Sequence, residues 1–190
     1  MAQDPKARFR ARALRRLRTL SPAARRRADH AVVRELRRRI RERNARRILL
    51  YLPLPMEVDL RGLIGELRRR GVRVYVPFME GESFRPVQYR LPLKRKRFGV
   101  YEPKNSKQYR PRTIEMAVVP VVGIDPTLRR IGFGKGYYDR FFEKEKQNIE
   151  EIIFIQRWLC CSSEILTRAH DVAADQLIAH RVAWHGPSVP

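Results

Sequence analysis

Cysteine is nearly missing from this sequence: its 190 residues include two, Cys160 and Cys161, side by side. Neighbouring cysteines rarely bridge each other and no metal-ligand spacing surrounds them, so the pair reads as reduced core thiols of a cytoplasmic protein. No apolar run approaches the roughly 18 residues a membrane helix needs, so no membrane partner is expected. None follows Met1-Ala2-Gln3-Asp4-Pro5-Lys6 as a secretory leader would require. There is no internal repeat and no sign of a second domain. The reading is one domain over residues 1–184, with a loose tail at 185–190. No Gly-x-Ser-x-Gly element and no Cys/His pair offers covalent nucleophilic catalysis. His170 has no partner at ligand spacing. Acid is scarce too, with 20 Asp and Glu against 42 Lys and Arg and a formal charge of +22. Such a charge suits nucleic acid, or a general preference for Arg that also steers anionic small molecules. No aromatic residues interleave the arginines as a single-strand binder would need, which argues against a specific nucleic-acid partner.

Hydrophobic residues make up 43% of the chain, enough for a core and too many for wholesale disorder. Residues 6–46 read as helix, with Leu14, Leu17 and Leu20, then Ala31, Val32, Leu36 and Ile40, recurring at three- and four-residue intervals. Ser21-Pro22 breaks the run: Ser21 can cap a second helix and Pro22 suits its first position. The arginines of 34–47 are then the wet face of that helix. Ile48 to Leu52 is a buried strand, 59–70 a helix ending near Gly71, and Val72 to Pro77 the next strand, so 48–77 is a β-α-β unit with parallel strands. Ser83 to Arg90 fits an edge strand, because Pro86 interrupts it. Leu91 to Arg97 reads as a basic loop and Phe98 to Pro103 as a compact turn. Glu115 to Val122 is a strand, Asp139 to Gln147 a helix and Ile149 to Ile155 a strand. Ser162 to Leu166 reads as a short helical turn. His170, Asp171 and Asp175 fall in a loop before a last strand, Gln176 to Val182.

The most informative stretch runs from Ala117 to Phe142. A buried strand feeds a Gly123-Ile124-Asp125-Pro126 turn, then Arg129-Arg130, then three alternate glycines (Gly132, Gly134 and Gly136), then a helix start at Tyr137-Tyr138-Asp139. Alternate glycines let successive N–H groups turn toward an anion, through positive φ values that other residues avoid. Lys135, Arg129 and Arg130 suit a polyphosphate. Neither the P-loop pattern nor the dinucleotide fingerprint is matched, and a tight structural turn remains an alternative. Asp139 could cap the helix or hold Mg²⁺ against phosphates. Lys6 and Arg10, four apart, share one helical face.

Gly132-Phe133-Gly134-Lys135-Gly136-Tyr137-Tyr138-Asp139-Arg140 resembles the signature of the 5-formyltetrahydrofolate cyclo-ligase family. Lys6-Ala7-Arg8-Phe9-Arg10, Met56-Glu57-Val58-Asp59, Phe98 to Pro103, and His170-Asp171-Val172 with Asp175 resemble further family elements in the same order. The resemblance implies a three-layer, Rossmann-like α/β sandwich with a largely parallel central sheet. It implies ATP- and Mg²⁺-dependent closure of 5-formyltetrahydrofolate to 5,10-methenyltetrahydrofolate by a monomer or weak homo-oligomer. ATP would be held by Lys6, Arg10, Arg130, Ile131, Gly132, Phe133, Gly134, Lys135, Gly136, Tyr137 and Tyr138. The folate would meet Leu52, Glu57, Phe133, Gly134 and Tyr137; Mg²⁺ would meet Asp139 and Asp171; Lys135 and Tyr138 would take the catalytic part. The chain departs from the family in carrying Phe133 where an arginine is usual, and Leu60 where threonine is usual. Phe133 and the excess of arginine leave a second expectation, a catalytically impaired member acting as a basic nucleic-acid-binding protein.

Overall fold

The computed structural model describes residues 4–95, 101–103 and 111–185. Helix α1 (Pro5–Thr19) begins at Asp4, whose carboxylate accepts from Lys6 N, with Pro5 in the first turn. Its buried stripe is Phe9, Ala13 and Leu17, one turn earlier than the Leu14-Leu17-Leu20 spacing suggests. Helix α2 (Pro22–Glu42) starts as its sequence predicts, with Ser21 Oγ accepting from Ala24 N and Pro22 at the start. Ala28, Val32, Leu36 and Ile40 face inward, while Arg34 and Arg38 stay exposed.

Strand β1 (Arg47–Leu49) is shorter than the apolar run that announces it. Leu50 N still donates to Tyr75 O, 2.9 Å away, and then Tyr51 and Leu52 leave the ladder. Helix α3 (Arg61–Arg69) crosses to β2 (Arg73–Glu80), which β3 (Ser83–Gln88) follows antiparallel as the edge strand. Strands β4 (Leu93–Arg95) and β5 (Tyr101–Pro103) form a small antiparallel pair where a basic loop and a turn are expected; Phe98-Gly99-Val100 of that turn lies outside the described residues. After β6 (Met116–Pro120), the short antiparallel pair β7 (Gly123–Ile124) and β8 (Arg130–Ile131) brackets the Asp125 turn. Helix α4 (Tyr137–Glu145) and β9 (Ile152–Gln156) follow.

Two expectations fail near the C-terminus. Residues 162–166 are not helical. Asp125 is buried and its Oδ2 accepts from Leu166 N (3.0 Å) and Thr167 N (2.8 Å), so these amides are satisfied by a carboxylate rather than by a helical turn. Residues 176–185 form a hairpin, β10 (Gln176–Ala179) and β11 (Val182–His185), instead of one strand and a loose end. Arg181 takes the left-handed turn position at φ 64°. Neither His180 nor Arg181 is a residue that announces such a turn. His185, expected in the loose tail, pairs with Gln176; 186–190 lie outside the described residues.

The seven-stranded sheet runs β11-β10-β9-β6-β1-β2-β3. The five inner strands are parallel and the two edges antiparallel. Alternate residues of the inner strands serve opposite layers. Ile48, Met116, Val118, Ile153 and Ile155 pack with α2 and α3; Leu49, Ala117, Val119, Ile152 and Phe154 pack with Phe141 and Phe142 of α4. This is a three-layer α/β sandwich with a mostly parallel sheet. Helix α1 stands apart, placing Phe9 and Ala13 on Val122, Ile131 and Cys160 beyond the ends of the strands.

From β1 the chain crosses by α3 to one side of the sheet; from β6 it crosses by α4 to the other. Adjacent parallel strands whose connections diverge leave a crevice at their carboxyl ends. The layer packing predicts that Leu36→Ala costs about 2–5 kcal/mol, whereas Arg34→Ala on the wet face stays within about 0.5 kcal/mol. Urea denaturation of both variants checks this, and equal losses would contradict the assignment of faces.

Candidate functional site

A cleft of about 590 Å³ opens at that crevice. Tyr51, Leu52, Leu54 and Glu57 come from the segment after β1, Pro120 from the end of β6, and Pro77, Phe78 and Met79 from the end of β2. The glycine loop and the first turn of α4 close it with Arg130, Phe133, Lys135, Gly136, Tyr137 and Tyr138.

The loop is shaped by its arginines. Gly134 and Gly136 take positive φ, 95° and 68°, as anticipated. Gly132 does not lie in that region. It is needed for space, since a Cβ there would sit 2.6 Å from Arg130 Nη2. Gly136 caps α4 with no side-chain hydrogen bond to the first turn, leaving a helix N-terminus of the kind that receives anions. Arg140 reaches back from α4, donating to Lys135 O at 2.6 Å and to Glu82 O at 2.5 Å. It thereby ties the loop to the β2–β3 turn.

On the far side of the loop, α1 supplies cations. Arg10 Nε donates to Gly132 O at 2.8 Å, and Lys6 Nζ lies 2.7 Å from Asp171 Oδ2. Phe9, between them, packs so closely on Gly123 that a Cβ there would meet its ring at 2.5 Å. Ile131 is buried with Phe9 and Val122, and its carbonyl accepts from Val122 N at 2.9 Å. Its side chain therefore serves the core.

Arg130 joins the two sides. It is 5% exposed and holds Asp139 with both edges, Nε to Oδ1 at 2.9 Å and Nη2 to Oδ2 at 3.0 Å. Its guanidinium also lies over the Tyr138 ring, 5.2 Å from the centroid. Burial alone would raise the Asp139 carboxyl, but the hydrogen bonds and charge of Arg130, the charge of Lys6 and the Val172 N–H outweigh it and hold the group below its ordinary value. Lys6 thus bears on both acids, paired with Asp171 and acting on Asp139 through its charge, while Val172, next to Asp171, donates to Asp139. That donor set suits Mg²⁺, which takes one or two carboxylates and completes its shell with phosphate and water. Among the described residues no group of three or more His, Cys, Asp and Glu gathers into a cage. Asp175 goes elsewhere, with Oδ2 accepting from Ile152 N at 2.8 Å at the opposite end of β9.

Tyr138 is packed edge-on to Phe84, centroids 5.0 Å apart. Burial pushes its hydroxyl upward, so it can donate a hydrogen bond and cannot act as a base near neutral pH. Glu57 faces the same cleft with Oε2 accepting from Leu54 N at 2.8 Å. Burial outweighs that bond and the charges of Arg157 and Arg130, pushing its carboxyl up to about 7. Phe133 lies between the cleft and the α1 cluster. Cleft residues not anticipated include Phe78, Phe84, Tyr101 and Glu102. Buried Glu102 accepts from Met79 N at 3.1 Å and pins β5 beside β2. Tyr101 and Glu102 lie in the family-like element Phe98 to Pro103, whereas Phe78 and Phe84 are marked only by their place in β2 and β3 beside the cleft.

A family model described as the 5-formyltetrahydrofolate cyclo-ligase family matches residues 2–178. A curated relative from Haemophilus influenzae, a 5-formyltetrahydrofolate cyclo-ligase, is 28% identical over 120 residues, which cover 60% of this chain and 64% of the relative. The chain therefore spans less than two thirds of that relative's length. The structure of a 5,10-methenyltetrahydrofolate synthetase from Aquifex aeolicus superposes with a TM-score of 0.78 at 25% identity, covering 97% of this chain and 96% of that one. One from Mycoplasma pneumoniae gives 0.72 at 21% identity over 93% and 99%, a likeness of fold.

The Glu57 carboxyl has a testable consequence. Its folded value lies above its ordinary one, so its contribution to stability is complete in acid and is lost as pH rises toward about 7. Glu57→Gln should therefore gain on the parent chain as pH rises from acid to mildly alkaline. Denaturation curves at several pH values measure this; a pH-independent difference would contradict it.

Proposed function

This chain belongs to the 5-formyltetrahydrofolate cyclo-ligase family, and we propose that it carries out the ring closure of that name. In this reaction 5-formyltetrahydrofolate becomes 5,10-methenyltetrahydrofolate as ATP is split to ADP and phosphate. The observation that carries the reading is the two-sided loop. Residues 130–139 stand between an apolar-floored cleft and the cations Lys6 and Arg10, with a helix N-terminus between them.

A formyl oxygen is a poor leaving group. Its attack on the γ-phosphorus forms an O–P bond as the bond to ADP breaks. The folate N10 then attacks the same carbon and gives up its proton, and phosphate leaves with the former formyl oxygen. No protein nucleophile is required. The protein's part is to align the two substrates and meet charge as it develops.

Lys135 and the N–H groups at the start of α4 would face the phosphates, and Lys6, Arg10, Arg130 and the glycines would complete that cradle. Tyr138 would donate a hydrogen bond from its buried hydroxyl. Leu52, Glu57, Phe133 and Tyr137 would border the folate, with Glu57 meeting its polar edge. Asp139 and Asp171 would hold Mg²⁺, which neutralises phosphate charge when bound. With phosphates present, Arg130 and Lys6 gain a second anion to serve and can release these carboxylates. That Asp171 pairs with Lys6, whose charge also acts on Asp139, supports that placement.

With ATP, Mg²⁺ and 5-formyltetrahydrofolate, methenyl absorbance near the ultraviolet–visible boundary should grow. Folded protein that produces none would overturn the reading. Lys135→Ala should lower kcat by about a hundredfold or more while the protein stays folded, measured in the same assay; unaltered kcat would remove Lys135 from the phosphate role.

A further inference from the structure

Arg157 follows β9 directly, at the carboxyl end of the sheet, and is 5% exposed. Every edge of its guanidinium is used. Nε and Nη2 bind the two oxygens of Asp29 at 2.6 and 2.9 Å. Nη1 donates to Pro55 O at 3.3 Å, and Nη2 also donates to Glu57 O. Asp29 belongs to α2 and its Oδ2 lies 3.4 Å from Asp59 N. One buried ion pair therefore joins α2, the end of β9 and the segment after β1.

That segment needs an anchor. Residues 50–60 form neither helix nor strand. Their local bonds are few: Glu57 N to Leu54 O, Leu54 N to the Glu57 carboxylate, and Tyr51 Oη to Val58 O. Yet Tyr51, Leu52, Leu54 and Glu57 make one wall of the cleft. A buried ion pair is an inefficient way to hold two layers together, since apolar side chains of similar volume do as well or better. What it adds is direction, because a guanidinium fork fixes its acceptors in a plane.

We propose that Arg157 is a positioning residue for the folate side of the cleft: held by Asp29, it fixes the backbone carbonyls of Pro55 and Glu57 and so the place of the Glu57 side chain. This rests on the cyclo-ligase reading. Arg157 reaches Glu57 in a second way, through its charge. The charges that bear on the Glu57 carboxyl are Arg157 and Arg130, which favour ionisation, with the neutral hydroxyls of Tyr51 and Tyr138 beside it, while Lys135 and Glu102 line the same cleft. Without the Arg157 charge, Glu57 ionises at higher pH.

The test compares Arg157→Gln, Arg157→Lys and Asp29→Asn with the parent chain. Dissociation constants for 5-formyltetrahydrofolate are measured by calorimetry, and KM values for folate and ATP separately across neutral pH. Arg157→Gln should raise folate Kd and KM by about ten- to a hundredfold, leave KM for ATP unchanged, and move the pH dependence of folate binding upward. Arg157→Lys should restore that pH dependence but not the affinity. Asp29→Asn, which keeps an acceptor and the shape, should weaken folate binding in the same direction if Arg157→Gln does not fold. Unchanged folate affinity, or equal losses for folate and ATP that track stability, would overturn the inference. A parent chain that binds folate without turnover would sink the cyclo-ligase reading and leave this one to the binding data; one that binds no folate would sink both.

Discussion

The pairing of Arg130 with Asp139 is the interaction on which the site's construction turns. It joins the last residues before the glycine loop to the first turn of the helix after it, so the loop is a closed ring and not an open strap. Gly132 is small because the guanidinium occupies the space a side chain would take. Tyr138 lies beneath the same guanidinium and against Phe84, which couples the loop to the edge of the sheet. An ion pair this buried offers little net stability while both partners remain, yet losing one leaves a charge stranded at a cost of about 3–5 kcal/mol. The arrangement is therefore better suited to specifying a geometry than to strengthening the fold.

The sheet decides where this ring stands. Because the crossovers of β1 and β6 diverge, their carboxyl ends leave a gap that no helix fills. Tyr51 and Leu52 enter that gap when they leave the ladder, and Pro120 ends β6 there without an N–H to pair. The glycine loop arrives from the other side. Helix α1 lies off the main sheet, on the β7–β8 pair, and with Phe9 wedged on Gly123 it carries Lys6 and Arg10 to the back of the loop.

Much of this was legible in the chain. Ser21-Pro22 announces its helix by local chemistry. The apolar runs at 48, 116 and 152 announce buried parallel strands, and the glycine motif with Lys6, Arg10 and Asp171 points to one site because the family pattern places them together. What was hidden depends on contacts between residues remote in sequence. The amides of 166 and 167 choose the carboxylate of Asp125 over a helical turn. The hairpin at His180-Arg181 forms without turn residues because β9 offers β10 a parallel neighbour and leaves it an open edge. Asp29 and Arg157 lie on separate elements, and nothing near either one marks it as half of a pair. Gly132 was expected to need positive φ, and needs an empty Cβ position instead, which depends on where a distant guanidinium comes to rest.

The acids around the cleft divide by partner. Asp139 has Arg130, Asp171 has Lys6 and Asp29 has Arg157; Glu57 has no ion-pair partner among the described residues. Burial acts on Glu57 against only the Leu54 N–H bond and the charges of Arg157 and Arg130, and outweighs them, so its carboxyl is pushed up to about 7. Asp139, held below its ordinary value by Arg130 despite its burial, thus contrasts with Glu57 in the cleft, whose carboxyl is pushed up to about 7, and environments that separate acids in this way assign them different work. The paired acids can lend their charge to a metal or a scaffold. Glu57 can accept a hydrogen bond when ionised and donate one when not, which would suit the polar edge of the folate proposed above. A chain with so many arginines could have paired Glu57 as well. Arg157, whose charge bears on it, instead spends its hydrogen bonds on the Pro55 and Glu57 carbonyls and on Asp29.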